Sequence, residues 1–554
     1  MTKLFWIIGA TVGGWLGWWL GRQIGMMTAV ILSAVGTGVG STSPAASSTT
    51  TSSVPSPARS AVPAIRIAAA NRAPVRGDGG FVLYWMIAAR RTGWNFGLQR
   101  AIEWCRELRR PLLVLEALRV AYPHASDRLH AFAIDGMAEN AAVFAKAGVR
   151  HLPYVEPAAG AGKGLLEALA AHACIVITDD SPHFFLPRMV SAAADRLPVL
   201  LEAVDSNGLL PLRAAPKAFT AAVHFRRFLQ RELPEHLDAL PVANPLRGYD
   251  LGHATVPRGI VRRWPAASAA LLRRDLAALA DLPIDHGVSP VHLRGGAAAG
   301  EKVMRGFVRD RLSRYSEEHS EPESDASSGL SPWLHWGFVS AHQVFDAVAR
   351  HERWSPARVA LRPTGAREGW WGMGRDAESF LDELITWREL SFNGASRIDG
   401  HDRYDTLPSW ALATLERHAD DPRLLISLED LENGRTPDPL WNAAQGQLRR
   451  EGRIHNYLRM LWGKRFLEWT RHPREAAEWM LHLNDRWALD GRDPNSISGV
   501  FWCLGRYDRP WGPERPIFGT VRYMSAANTA RKLRVKDYVA RYTLPDGDTR
   551  IAKL

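Results

Sequence analysis

Gly452-Arg-Ile-His455-Asn456-Tyr-Leu-Arg459-Met460-Leu-Trp462-Gly-Lys464-Arg-Phe-Leu-Glu468-Trp469 is the stretch on which the reading of this chain turns. Residues 454–470 hold no proline, and Leu458, Leu461, Trp462, Phe466 and Trp469 recur at three and four, the spacing of one helical face. Trp462 and Trp469, seven apart, share that face about 10 Å apart along the axis. One element upstream, Asp438-Pro-Leu-Trp441-Asn-Ala-Ala-Gln445 brings a third tryptophan toward the same wall. Taken alone, such a helix is an aromatic core. Its surroundings decide whether it is more.

Working outward, strand signals nearly vanish after Lys302, and helical patterns run to about Tyr538. The C-terminal half reads as all-helical. Upstream the period changes. Residues 81–88, 112–118, 151–155, 174–178 and 197–204 are short β-rich apolar runs, separated by helical patterns such as 94–108 and 127–147. Strand and helix alternating at this spacing predict a parallel, Rossmann-like α/β sheet with helices on both faces. Gly160-Ala-Gly-Lys163 is no phosphate loop, because Pro157 and Gly164 stand where glycine and Ser/Thr are needed.

The N-terminal 78 residues differ. Residues 4–40 are apolar apart from Arg22-Gln23, with glycine every fourth residue from Gly9 to Gly25, and read as a one- or two-span membrane anchor. A signal peptide and a misassigned start are the other readings of this segment. Residues 41–78 are rich in Ser, Thr, Pro and Ala and read as a flexible linker. The expected organisation is anchor 1–40, linker 41–78, α/β domain 79–212, connector 213–300 and helical domain 301–540. Such a chain is a cytoplasmic monomer, tethered to the inner face of the membrane if the anchor is retained.

Bulk properties exclude some classes. A chain of 554 residues exceeds one hydrophobic core. Three distant cysteines, Cys105, Cys174 and Cys503, exclude a four-cysteine iron–sulfur cluster and argue against a disulfide framework. A net charge of +11 suits a polyanionic partner or simply a basic surface. Twenty-two tryptophans favour an aromatic ligand without naming it.

Besides the opening stretch, three polar constellations in the helical half exceed what a plain core needs. Ser327-Ser328-Gly329-Leu330-Ser331-Pro332 offers hydroxyls and free amides at a helix start, an anion site or an ordinary cap. Glu383-Leu-Ile-Thr-Trp387-Arg388-Glu389 puts Glu383 and Trp387 on one helical face, in a site or as a surface ion pair beside a core indole. Asn484-Asp485, followed by Asp490-Gly-Arg492-Asp493-Pro-Asn495, is a polar knot or a turn.

In this order the motifs resemble those of the photolyase/cryptochrome family, in the form found in class II cyclobutane pyrimidine dimer photolyases. Tyr84-Trp85-Met86, Asp205-Ser-Asn-Gly208 and Pro516-Ile-Phe-Gly-Thr-Val-Arg-Tyr-Met524 are similar to that class too, so the resemblance spans about 79–540. It implies a U-shaped FAD in the helical domain with a lesion pocket beside it. Ser327, Ser328, Leu330 and Ser331 match the diphosphate loop, and Tyr315 the tyrosine upstream of it. Arg388, Asp490 and Asp493 fall at flavin-contacting positions, and Asn484 at the asparagine facing flavin N5. Glu383, Trp387, Met460 and Trp502 match the lesion wall. Trp462, Trp441 and Trp469 match the electron-transfer chain, running from the flavin outward to the surface.

The implied reaction is light-driven splitting of pyrimidine dimers in DNA by electron transfer from reduced FAD, with an antenna chromophore of unstated identity in the α/β domain. Basic residues from Arg531 to Lys536 suit flanking phosphates or a solvated face. Three departures bear on DNA: Gln343 in place of a basic residue, the polar run 391–398, and residues 503–509, one residue short. Two rival readings are a cryptochrome-like photoreceptor without repair and a membrane-tethered flavoprotein without activity. The intact lesion wall favours repair.

Overall fold

The computed structural model describes residues 60–544. The anchor at 4–40 and the first part of the linker lie outside them. Among the described residues no helix is long and apolar enough to cross a membrane.

Six strands form one sheet: β1 (Ile67–Ala69), β2 (Phe81–Met86), β3 (Leu112–Leu118), β4 (Arg150–Val155), β5 (Ala173–Asp179) and β6 (Leu201–Val204), in the order β1-β6-β5-β2-β3-β4. β2 to β6 are mutually parallel. β2 and β5 are apolar and buried on both faces, as central strands of a two-sided sheet must be. The helices Phe96–Leu108 and Asp127–Lys146 follow β2 and β3 as crossovers, close to the expected bounds. Residues 160–164 form turns, as the sequence requires.

The linker reading fails at its C-terminal end. Ser60 bonds Glu103, and at Ile67 the chain enters the sheet, where β1 pairs antiparallel with β6, Ile67 opposite Val204. The sheet is therefore mixed, with one antiparallel edge. A three-residue strand carries no readable period. Its anchor, Arg66, is 1% exposed, whereas arginine in sequence reads as surface.

At the carboxyl ends of the strands, Asp179 occupies the loop after β2. Its Oδ2 accepts the amides of Ile87, Ala88 and Ala89 at 2.7–2.9 Å, and its Oδ1 accepts the Tyr84 hydroxyl at 2.6 Å. Rossmann-like folds offer free amides to a phosphate at this position. Here a built-in carboxylate fills the nest.

After β6 the described chain is helical and irregular. Besides short 3-10 turns, one segment is wider than an α-helix: Asp382–Trp387 is a π-helix between Arg375–Leu381 and Arg388–Arg397. Such a wide turn is rare and marks functional sites.

The loop following β6 is held by buried charge. Arg66 pairs with Asp205 and donates to the Leu209 carbonyl at 2.6 Å. Asp205 accepts the amides of Asn207 and Leu212. From the helical half, Glu389 accepts the amides of Leu209 and Leu210 at 2.7 and 3.0 Å, and Arg388 donates to the Asn207 carbonyl at 2.7 Å. Removing one partner of such a buried pair costs about 3–5 kcal/mol. Arg66→Ala therefore lowers the unfolding free energy from urea titration by that amount, whereas Arg305→Ala, breaking an exposed pair with Glu301, changes it by about 0.5 kcal/mol or less.

Candidate active site

A cavity of about 710 Å³ opens in the helical half. One end is the hydroxyl loop. Ser327, Ser328, Gly329, Leu330 and Ser331 line it together with Tyr315. Arg311 fixes the loop by donating to the Ser327 carbonyl at 3.1 Å. The helix that follows, Ser331–His335, has only five residues, so its dipole is slight. Positive charge comes instead from Arg453, which also lines the cavity next to Gly329.

Arg388, Asp490 and Asp493 line the same cavity. Burial pushes the Asp493 carboxyl up, but the His335 hydrogen bond and the charges of His335, Arg388 and His183 outweigh it and leave it at about 2. Arg459 lines the cavity and pairs with Asp490 at 3.2 Å. Asn484 stays one layer back. Its amide donates to Ser496 Oγ and Asp485 Oδ1, each at 2.9 Å, and it is Ser496 that reaches the cavity.

The other end is aromatic. Glu383, Trp387, Met460 and Trp502 all line it. The π-turn directs Glu383 and Trp387 to this wall from one face. Burial, then the neighbouring Asp382, raises the Glu383 carboxyl to about 7, against the opposing pull of Arg367 and Arg226.

The three tryptophans pack directly. Trp441 and Trp462 lie parallel, 4° apart with centroids at 6.2 Å, and Trp441 and Trp469 meet edge-on at 5.2 Å. The Trp441 indole donates to the Trp462 carbonyl and the Trp462 indole to Gln445 Oε1, both at 2.9 Å. Neither Trp441 nor Trp462 reaches the cavity surface. Trp462 stands on the helix Asn456–Trp469, whose Arg459 and Met460 line the cavity, and Trp441 on the preceding helix Pro439–Glu451.

The surface end assigned to Trp469 is overturned: this residue is 2% exposed. Residues 423–426 cross the helix end, with Ile426 donating to the Trp469 carbonyl and Arg423 to that of Leu467. The Arg465 guanidinium lies over the ring at 4.7 Å and is paired with Asp438 and Glu468.

Several residues escape the sequence reading. His455 lines the cavity with both ring nitrogens buried and without a partner, though the motif containing it is legible. Tyr542 and Arg541 close the cavity from the C-terminal helix Lys536–Tyr542, with Tyr542 Oη donating to Glu451 at 2.7 Å. No local signal marks these two. One of the three departures, the run 391–398, is packed into the fold. Asn393 and Arg397 bind the backbone of Phe219, Lys217 and Ala215, and Ser391 reaches Asn495.

A second cavity, about 120 Å³, lies at the carboxyl ends of β2 and β3, lined among others by Trp85, Tyr122, Phe184, Trp336 and Arg492. Tyr122 Oη and Arg492 Nη1 are buried there without partners.

A mixed, mostly parallel α/β sheet joined to a helical half built around one large polar–aromatic cavity defines the class of fold. Comparison with known proteins gives it a family. No family model matches the chain. Deoxyribodipyrimidine photo-lyases do: that of Methanothermobacter thermautotrophicus is 35% identical over 84% of this chain and 94% of its own. Those of Potorous tridactylus and Oryza sativa are 32% and 31% identical, over 82% and 83% of this chain and 80% and 87% of theirs. The chain belongs to the photolyase family. In fold it is similar to a class III photolyase from Agrobacterium tumefaciens (TM-score 0.61, 16% identity, 84% of this chain and 86% of that one). A Synechocystis cryptochrome is similar too (TM-score 0.56, 15% identity, 83% and 88%).

The helix Asn456–Trp469 packs closely at Gly463, where an added Cβ would stand 2.5 Å from Cys503 Sγ. Gly463→Ala is expected to destabilise by about 1–3 kcal/mol in thermal unfolding. Gly306→Ala, at an open helical position, is expected to stabilise by about 0.5–1 kcal/mol.

Proposed function

We propose that this chain is a light-dependent DNA-repair lyase that holds FAD and splits cyclobutane pyrimidine dimers. One observation carries the reading: a single cavity joins the hydroxyl loop to the wall of Glu383, Trp387, Met460 and Trp502. Cofactor and lesion can therefore stand side by side. A photoreceptor without repair needs the first end and not the second.

The residues fit FAD. The volume lies within the range of cofactor sites, about 300–1,000 Å³. Ser327, Ser328 and Ser331, with Arg453, suit a diphosphate, and Arg388, Asp490 and Asp493 suit the polar edge of a flavin. The unpartnered His455 nitrogens await a polar group. When bound, FAD supplies light absorption and one-electron chemistry. The chain does the rest. Trp387 and Trp502 offer faces on which extruded bases stack, and Met460 fills the gap between such rings. Glu383 in its neutral form donates a hydrogen bond to a pyrimidine carbonyl. Trp462, Trp441 and Trp469, in ring contact through Trp441 and with the Trp441 and Trp462 indoles held by hydrogen bonds, would supply electrons to a bound cofactor, Trp462 first, with Asn484 placed behind Ser496. Arg509, Trp511 and Arg522 stack beside Trp502 at the mouth, where phosphates flanking the lesion would lie.

The smaller cavity is the place for an antenna. Its aromatic and cationic lining suits one, although 120 Å³ is short of a three-ring chromophore.

Two outcomes follow for full-length protein carrying FAD. Because Glu383 loses its proton as pH rises through about 7, affinity for dimer-containing DNA falls by about fivefold or more between roughly pH 6 and pH 8.5. Glu383→Gln, a donor at every pH, flattens that profile in a fluorescence-anisotropy titration. An unchanged slope removes Glu383 from the lesion. Trp462→Phe loses most light-driven flavin reduction, followed by absorbance, while dimer splitting by pre-reduced protein stays near wild type. Equal loss of both contradicts the wire.

A further inference from the structure

Trp502 is flanked by two cations. The Lys464 ammonium lies 5.3 Å from its ring centroid and the Arg522 guanidinium 5.7 Å. Arg522 is exposed, but Lys464 is fully buried. Its ammonium donates to the Cys503 carbonyl at 2.7 Å, and among the described residues no carboxylate pairs with it. Burial lowers its pKa to about 8, partly offset by Cys503 and Asp508, so it carries charge at neutral pH. An unpaired buried ammonium is costly, and a methionine of similar length would avoid that cost. Packing alone does not explain the lysine.

The wire tryptophans have the opposite surroundings. Trp441 and Trp462 donate to a carbonyl and an amide oxygen, whose negative ends favour a ring that has lost an electron. The cation over Trp469, Arg465, is neutralised by Asp438 and Glu468. Trp502 lines the cavity itself, whereas Trp462 stands behind it. By position alone Trp502 is the better placed donor to oxidised FAD.

We propose that Lys464, assisted by Arg522, holds Trp502 in its reduced form and thereby confines oxidation of the protein to Trp462, Trp441 and Trp469. In the step that is suppressed, one electron would pass from Trp502 to light-excited oxidised FAD and leave an indole radical cation, with no bond made or broken. That cation would face the ammonium across a water-poor contact, where like charges repel strongly. Lys464 acts through Trp502 and is a positioning residue. The proposal rests on the flavin-and-wire reading.

The test uses full-length, FAD-loaded protein under blue light, with flavin absorbance and tryptophan-radical spectra as readouts. In a Trp462→Phe background, adding Lys464→Met raises flavin photoreduction by about tenfold or more, and adding Trp502→Phe abolishes the gain. Lys464→Arg, which keeps the charge, leaves photoreduction as low as in Trp462→Phe alone. A gain of electron transfer is not a consequence of misfolding. If Trp462→Phe/Lys464→Met binds FAD yet stays as slow as Trp462→Phe, the proposal is overturned. If Trp462→Phe alone photoreduces normally, the wire reading fails instead. The guard is then decided by two single variants: Trp502→Phe leaves photoreduction unchanged and Lys464→Met, in the chain that keeps Trp502, raises it if the proposal holds; photoreduction lost in the first or not raised in the second overturns it.

Discussion

The structure depends on the burial of two carboxylates against one loop. Asp205 and Glu389, both removed from water, grip residues 205–212 by their backbone amides from opposite sides, one backed by Arg66 and the other adjoining Arg388. A buried carboxyl of this kind is tolerated only when it is hydrogen-bonded; burial raises that of Glu389 to about 7 against the pull of the Leu210 and Leu209 amides and of Arg388 and Arg66. Each amide it uses fixes the loop. Gly208 shows how close the approach is, for a Cβ there would stand 2.6 Å from the Glu389 carboxyl. Through this loop the edge of the sheet, including β1, sets the position of Arg388, and Arg388 is a wall of the large cavity. The sheet half thus shapes a site to which it contributes almost no lining.

Within the cavity, environment assigns different states to chemically similar groups. Asp493 and Glu383 are both carboxyls enclosed by protein. The first meets His335 and Arg388 and stays ionised. The second meets Asp382, itself held by Arg226 at 2.7 Å, and is driven toward neutrality. The end that suits a flavin is therefore ionic, and the end that suits paired pyrimidines is aromatic with a neutral donor. The same contrast extends to tryptophan, where acceptors surround Trp441 and Trp462 and cations surround Trp502.

Much of this is legible in sequence, for reasons that can be named. Central strands such as β2 are continuous apolar runs, and helices such as Asn456–Trp469 keep a long period. The lining residues Tyr315, Ser327, Ser328, Leu330, Ser331, Arg388, Asp490 and Asp493 sit in motifs dense enough to read together. What escapes is set by long-range contact. β1 is too short to show a period, and Arg66 finds Asp205 across 139 residues. The π-turn at Asp382–Trp387 preserves the helical look of its sequence while changing its geometry. Trp469 is buried by residues 423–426, which no local pattern places there. Asn484 sits behind Ser496 for the same reason. Tyr542 and Arg541 belong to a helix that reads as an ordinary basic terminus.

The account stands on the cavity serving cofactor and lesion together, and one measurement addresses that directly. Purified full-length protein, loaded with FAD and reduced, is mixed with duplex DNA carrying a single cyclobutane pyrimidine dimer and exposed to blue light, and the restored pyrimidines are counted by chromatography. Light-dependent restoration, absent in the dark and lost when Trp387 and Trp502 are both replaced by alanine, is the predicted result. Protein that binds FAD in full yet leaves the dimer intact under light would contradict it.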